Sequence, residues 1–216
     1  METKTAMIWG ANGGIGRALV SQLTTAGWQI LTVCRDVGPF EEDDSVIALE
    51  MTHITAEASL QQVVMEAGYE IDAVDLWVYT VGDITSAKVA DMSLTGWQKI
   101  IDANLTGAFL ATNRSLPLLA PKAHLMFVGA VQERLRLPGL AAYAAAKAGL
   151  EAFAEALRKE LRKHPVTVVR PGAVDTSFWD KVPLKLPKDA MTPAKVADKM
   201  IEAYEAKHKG LLDLTH

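Results

Sequence analysis

The chain has 216 residues, half of them hydrophobic and 22% charged, and its 22 Lys and Arg against 26 Asp and Glu leave a net charge of -4. A chain of this size and make-up folds as one domain around a substantial core and is not a disordered segment. The acidic balance argues against nucleic acid or an anionic membrane as a partner, and the one cysteine excludes an intrachain disulfide.

Strands and helices are predicted to alternate from end to end. Met1 to Thr5 is polar and leads straight into Ala6 to Trp9, a short apolar run that reads as a buried strand, so no signal peptide is expected. Ala18 to Leu23 continues in helical period, and that helix ends near Gly27. Further strands are expected at Ile30 to Val33, Val46 to Leu49, Val74 to Val78, Leu125 to Val128, Val166 to Val169 and Leu211 to Leu214. Helices are expected at Ala58 to Ala67, at Thr95 to Leu119 (stopped by Pro117 and Pro121), at Ala141 to Arg162 and at Pro193 to Lys207. This βαβ repetition predicts an α/β fold, a single-domain doubly wound parallel sheet of the Rossmann type in three α/β/α layers. Ligands of such sheets sit beyond the carboxyl ends of the strands, so the loops after each strand are where chemistry is sought. Pro183 to Pro187 is the one loop-like stretch, placed where a lid could close a cleft. Cys34 ends a predicted buried strand and reads as a small inert hydrophobe that suits a reducing, cytoplasmic setting. The five histidines (53, 124, 164, 208 and 216) are too scattered for metal-ligand spacing, so no metal is expected, and no apolar run is long enough to span a bilayer.

Between the first strand and helix runs Gly10-Ala11-Asn12-Gly13-Gly14-Ile15-Gly16. Gly10, Gly14 and Gly16 supply a tight turn, room for a pyrophosphate and close strand–helix contact, and the helix N-terminus offers free N–H groups to an anion. Alone, such a turn could be purely structural; the strand before it and the helix after it favour nucleotide binding. Just past the second strand stand Arg35 and Asp36. An arginine there suits a ribose 2′-phosphate and an acid suits a free 2′-hydroxyl, so Arg35 favours NADP(H), with Asp36 keeping NAD(H) possible.

Tyr143 and Lys147 lie four residues apart in an alanine-rich helix and share one face. A free phenol titrates near ~10, too high for ready proton exchange at neutral pH, and a nearby ammonium favours the phenolate. A packed tyrosine with a solvated lysine is the plainer reading of that pair.

Together these features resemble the short-chain dehydrogenase/reductases. The resemblance is carried by the Gly10-xxx-Gly14-x-Gly16 loop, by Asn104 within Ile101-Asp102-Ala103-Asn104-Leu105-Thr106-Gly107, by Pro138-Gly139 leading to Tyr143-xxx-Lys147, and by Arg170-Pro171-Gly172-Ala173-Val174-Asp175-Thr176. It spans nearly all of residues 1–216 and implies a single dinucleotide-binding catalytic domain. It implies Tyr143 as general acid/base, Lys147 as the residue that holds the nicotinamide ribose and tunes Tyr143, and Asn104 as support for a water in the proton relay. It places Pro171, Gly172, Val174 and Thr176 at the nicotinamide end and Glu50 and Met51 beside the adenine, with Asn12, Gly13, Ile15, Thr80, Val81 and Gly82 lining the cofactor. From the residues alone, Asn104 could equally be a buried amide that satisfies a helix distortion, and Thr176 a helix cap. The resemblance also implies a homodimer or homotetramer. Leu150, Phe153, Ala154 and Leu157 would form either the seam between subunits or the sheet-facing core.

Three positions depart from the family pattern. Ala130 stands thirteen residues before Tyr143, where the family usually has a serine that donates to the substrate carbonyl oxygen. Losing such a donor typically removes ~2.7–4 kcal/mol of transition-state stabilisation unless Gln132, Thr80 or a water replaces it. Tyr79-Thr80-Val81-Gly82 stands for the usual Asn-Asn-Ala-Gly, and Trp9 for the usual threonine. Gly129-Ala130, Met51-Thr52 and Gly27-Trp28 are similar to the dihydropteridine reductases, which also lack the serine. The readings carried forward are an oxidoreductase exchanging hydride with a small carbonyl or alcohol, reduction of a quinonoid dihydropterin, and a weakly catalytic NADP(H) sensor.

Overall fold

The computed structural model describes residues 3–214, so His216 and the first two residues of the polar N-terminal stretch lie outside the described residues. Seven strands form one parallel sheet in the order β3-β2-β1-β4-β5-β6-β7, with β1 at Thr5–Trp9, β2 at Gln29–Cys34, β3 at Val46–Glu50, β4 at Val74–Tyr79, β5 at Leu119–Val128, β6 at Val166–Pro171 and β7 at Gly210–Leu214. The helices are α1 (Gly14–Thr25), α2 (Glu57–Glu70), α3 (Leu94–Ile101), α4 (Gly107–Ser115), α5 (Ala141–Glu160) and α6 (Pro193–Glu205).

The period of two along each strand divides the core. Ala6 and Ile8 face α1 and α6, packing with Leu19, Leu23 and Met200. Met7 and Trp9 face the other layer and pack with Leu60, Ala111, Leu150 and Leu157. Both faces of the sheet are covered, so β1, β2, β4 and β6 are buried along most of their length and do not alternate, whereas the edge strand β7 does. Trp9 is fully buried, 6.4 Å from the Trp77 ring, which gives its departure from threonine a reason: the side chain belongs to the core, not to the loop beyond it. Leu150, Ala154 and Leu157 are buried against the sheet, and Phe153 packs on Phe109 and Phe127, so all four serve the core of this chain.

The chain builds outward from β1 in one direction through β2 and β3, and from β4 in the other through β7. The switch point between β1 and β4 opens a crevice at their carboxyl ends. The expectation of one helix from Thr95 to Leu119 is corrected here. α3 ends at Ile101, a π-helical turn covers Asp102–Thr106, α4 follows, and β5 already begins at Leu119. Gly107 N–H reaches back five residues to the Asp102 carbonyl, which widens the turn. The apolar spacing on either side stays helical, so the pattern alone cannot register one inserted residue. Pro117 sits in a 3-10 turn, and Pro121 lies where the β4–β5 pairing shifts register and a missing N–H is tolerated.

Candidate active site

At the switch point the loop after β1 folds over the end of the sheet. Gly10 has φ +83°, a conformation that only glycine adopts freely, and a side chain there would strike Thr80 and the backbone of Val81. A side chain at Gly14 would meet the Thr176 methyl. The first turn of α1, from Gly14, presents N–H groups without intrahelical acceptors toward the crevice. The Thr80 hydroxyl lies 2.8 Å from the Trp9 carbonyl and 3.0 Å from that of Gly10, so it pins the loop. The usual asparagine is thus replaced by a residue that braces the same turn from β4.

A cleft of about 1250 Å³ runs from this loop across the sheet. Its walls include Gly10, Asn12, Gly13, Gly14, Ile15 and Gly16, then Arg35, Met51, Thr80, Val81 and Gly82, then Tyr143, Lys147, Pro171, Gly172, Val174 and Thr176. Sequence-predicted residues from six separate segments therefore meet at one cavity, while Asn104 lies buried behind its wall. Glu50 does not join them: it is an exposed strand end paired with Cys34, and Met51 and Thr52 reach the cleft instead. The walls fit an extended dinucleotide, with backbone donors in the middle and Arg35 and Tyr143 toward opposite ends.

At the Arg35 end, Asp36 is exposed but its carboxylate is engaged. Asn12 Nδ2 lies 3.3 Å from the Asp36 carboxylate, and Gly38 N–H donates to the same group at 3.3 Å. Arg17, which sequence reasoning passed over, donates to Asn12 Oδ1 at 2.7 Å. Cys34 is buried and its thiol contacts the Asp36 carbonyl at 3.2 Å; burial pushes the thiol pKa up, in keeping with an inert side chain.

At the other end, Asn104 is fully buried in the π-helical turn. Its Nδ2 donates to the Asp83 carbonyl at 2.7 Å and to the Ile100 carbonyl at 2.8 Å, while Oδ1 has no partner among the described residues and lies beside Gly82. Half of the amide satisfies the helix distortion, as one reading of the residues suggested, and the other half lies behind Gly82, which lines the cleft. The Tyr79 hydroxyl donates to the Ala103 carbonyl at 2.8 Å and steadies the same turn from β4. Thr176 Oγ1 accepts from Phe178 N–H at 3.4 Å, capping a short 3-10 turn over the cleft, and the Phe178 ring stands 5.7 Å from that of Tyr143.

Lys147 Nζ donates to the Val128 carbonyl at 2.8 Å and stands 5.6 Å from the centre of the Tyr143 ring. Burial pushes the Tyr143 phenol above its ordinary value and brings the Lys147 ammonium down to about 7. Both shifts come from desolvation, and in the cleft as it stands neither carries a contribution from the other group. Desolvation disfavours the charged form of each group, and the ammonium is aimed at a carbonyl instead of the phenol.

Ala130 lines the cleft beside Tyr143 and brings no hydroxyl. Of its possible substitutes, Thr80 is committed to the glycine loop. Gln132 has a buried Nε2 without a partner among the described residues, but it is not part of the cleft wall. Arg134, from the same 3-10 turn, reaches over Gly172 into the cleft. Asp83 and Lys181, also in the wall, had no sequence motif to announce them; the one hint was a charge directly after a buried strand and its glycine. Among the described residues no three His, Cys, Asp or Glu side chains gather as for a metal ion, and no helix is long and apolar enough to cross a membrane.

The sequence matches the family described as short chain dehydrogenase over residues 4–186. It is 31% identical over 185 residues to the 3-oxoacyl-[acyl-carrier-protein] reductase FabG of Escherichia coli, covering 82% of this chain and 76% of that one. An uncharacterised oxidoreductase of Staphylococcus aureus is 24% identical over 184 residues, covering 81% and 80%. The fold superposes on a 3-ketoacyl-(acyl-carrier-protein) reductase from Brucella melitensis complexed with NADH, with a TM-score of 0.88 at 21% identity over 99% of this chain and 97% of that one. It also superposes on a short-chain dehydrogenase/reductase from Serratia marcescens, with a TM-score of 0.86 at 19% identity over 98% and 96%.

Proposed function

The chain belongs to the short chain dehydrogenase family of oxidoreductases, and from that premise we propose that it is an NADP(H)-dependent reductase of a small carbonyl compound with Tyr143 as the acid. The observation that carries this reading is that Tyr143 and Lys147 line one end of a cleft whose middle is a glycine loop at a helix N-terminus, with Asn104 buried just behind Gly82 of the same wall. A nicotinamide dinucleotide bound there supplies the hydride. The residues do the rest. Gly10 to Gly16 and Thr80 to Gly82 hold the phosphates and the adjoining ribose by backbone approach, and Val174 and Thr176 flank the nicotinamide end. Tyr143 gives its phenolic proton to the carbonyl oxygen, and Asn104 Oδ1 orients a water that restores it. Phe178 covers the phenol and keeps bulk water from competing.

NADP(H) is favoured because the exposed Asp36 carboxylate is already engaged by Asn12 and Gly38, whereas the exposed Arg35 beside it lines the cleft and is open to a phosphate. NAD(H) is the alternative, and the similar Brucella reductase is complexed with NADH. A second substrate reading, a quinonoid dihydropterin, is supported by Ala130, because an acceptor reduced at a ring system has less need of a serine donor. A homodimer or homotetramer is also proposed. Trp97, Phe109 and Leu116 on the α3–α4 side remain exposed and offer apolar area for it.

The test is NADPH consumption by the purified protein with small ketones and aldehydes, with acyl-thioester carbonyls and with quinonoid dihydropterin, using Tyr143→Phe as the blank. Tyr143-dependent turnover on a carbonyl establishes the proposal, and turnover on the pterin alone establishes the second reading. No Tyr143-dependent turnover on any of them, with NADPH still bound, leaves the sensor reading.

A further inference from the structure

Asp83 follows Gly82 on the rim of the cleft and makes four bonds in three directions. Its Oδ1 accepts from Ile84 N–H at 2.9 Å and from Lys181 Nζ at 2.6 Å, and its Oδ2 meets Lys99 Nζ at 3.1 Å. Its main-chain carbonyl accepts from Asn104 Nδ2 at 2.7 Å. Burial alone would raise the carboxyl pKa, and the two ammoniums outweigh it and hold it below the usual carboxylate range.

The three elements joined here have different freedom. Lys99 belongs to α3, a rigid helix. Lys181 ends the 3-10 turn Ser177–Lys181, which crosses the cleft beyond Thr176 and carries Phe178 over Tyr143. At its near end this strap is fastened to the β6 side, where Trp179 Nε1 donates to the Val174 carbonyl at 2.9 Å. Its far end meets the β4 side through Lys181 and Asp83. Leu184 and Pro187, further along, still line the cleft.

We propose that Asp83 is a positioning residue that latches the 177–187 strap across the substrate end of the cleft through Lys181, and that the same residue steadies Asn104 from its main chain. The proposal rests on the reductase reading for its kinetic consequence but not for the latch itself. The Asp83 side chain is 11% exposed, whereas those of Lys181 and Lys99 are 49% and 70% exposed, so either lysine can reach water. What separates them is the element that carries each: Lys181 ends a short 3-10 turn and Lys99 sits within α3. Lys99 stays on the carboxylate when Lys181 leaves, so Asp83 keeps its place and Asn104 keeps its acceptor while the strap opens. The two lysines thus have unequal roles despite sharing one acid.

That inequality is the test. Hydrogen exchange of the 177–187 amides is measured on the ligand-free protein for wild type, Lys181→Met, Lys181→Arg, Lys99→Met and Asp83→Asn, with thermal unfolding to confirm the fold. The expected result is exchange at least about fivefold faster in Lys181→Met and Asp83→Asn, near wild type in Lys181→Arg and Lys99→Met, and unchanged in α6 throughout. In turnover the same two variants are expected to raise KM for the carbonyl substrate about five- to tenfold with kcat unchanged or higher, because strap opening no longer slows product release. Wild-type exchange in Lys181→Met, or equal loosening by Lys99→Met, overturns the latch. An absence of turnover in every protein overturns the reductase reading, and the exchange result still decides the latch.

Discussion

The two rims of the sheet bury polar side chains equally well, yet only the carboxyl rim borders the large cleft. At the carboxyl rim, Lys147, Tyr143 and Asn104 are buried beside a cleft of about 1250 Å³. At the amino rim, His124 and Thr167 are just as hidden, with Trp28 and Tyr204 packed edge to face and Lys4 Nζ 5.1 Å from both rings. There the polar groups pair with one another on one side only. The Thr167 hydroxyl donates to the His208 carbonyl at 2.8 Å, so His124 must donate from Nε2 to Thr167 Oγ1 at 2.9 Å, which leaves Nδ1 as an acceptor without a partner among the described residues. Burial, helped by His208 and Lys209, brings His124 down to about 4. A buried titratable group therefore does not by itself mark function; one that borders a space for a ligand does.

The largest expected effect separates the rims outright. Tyr143→Phe should cut turnover by about 10²–10⁴ while leaving NADPH affinity nearly unchanged. A comparable loss in His124→Phe, measured in the same assay, would break the comparison. Lys147→Met should lose turnover and gain stability, because the folded state holds that lysine against its preference for charge. Between pH 7 and 10.5 the unfolded chain binds the proton and the folded one does not. The gain should therefore be on the order of 3 kcal/mol below pH 7 and fade toward pH 10.5, as read by denaturant unfolding.

The amino rim has its own signature, in acid. Unfolded His124 gains its proton as pH falls through 6.5 while the folded one resists to about 4. Stability should drop by about 2–3 kcal/mol between pH 7 and pH 4.5, and His124→Phe should flatten that slope with no change in turnover. Within the carboxyl rim, Arg35→Ala should weaken NADPH about 10- to 100-fold and NADH less than about twofold in a binding titration; equal weakening of both removes the 2′-phosphate assignment. Ala130→Ser should raise ketone reduction about tenfold, and no gain would point to a different acceptor or to a substitute donor such as Arg134.

What could be read along the chain was whatever one segment carries by itself. The period of apolar residues marked seven strands, and Gly10, Gly14 and Gly16 marked the phosphate turn, because their backbone demands are local. Tyr143 and Lys147 were legible because a four-residue spacing puts them on one helix face. The π-helical turn at Asn104 was not legible, since one extra residue leaves the flanking helical pattern intact. The direction of the Tyr143 and Lys147 shifts was not legible either, because desolvation depends on how deeply other segments cover them. Asp83 and Lys181 are 98 residues apart in sequence, and no spacing rule joins them. The sequence by itself determined the order of elements, the glycine turn and the placing of Tyr143 and Lys147 on one helix face, all set by local backbone and side-chain chemistry. Only the tertiary structure decided which rim carries the cleft, which charges are buried and which residues meet across it. Those depend on the sheet switching direction between β1 and β4 and on what packs over the crevice that it leaves.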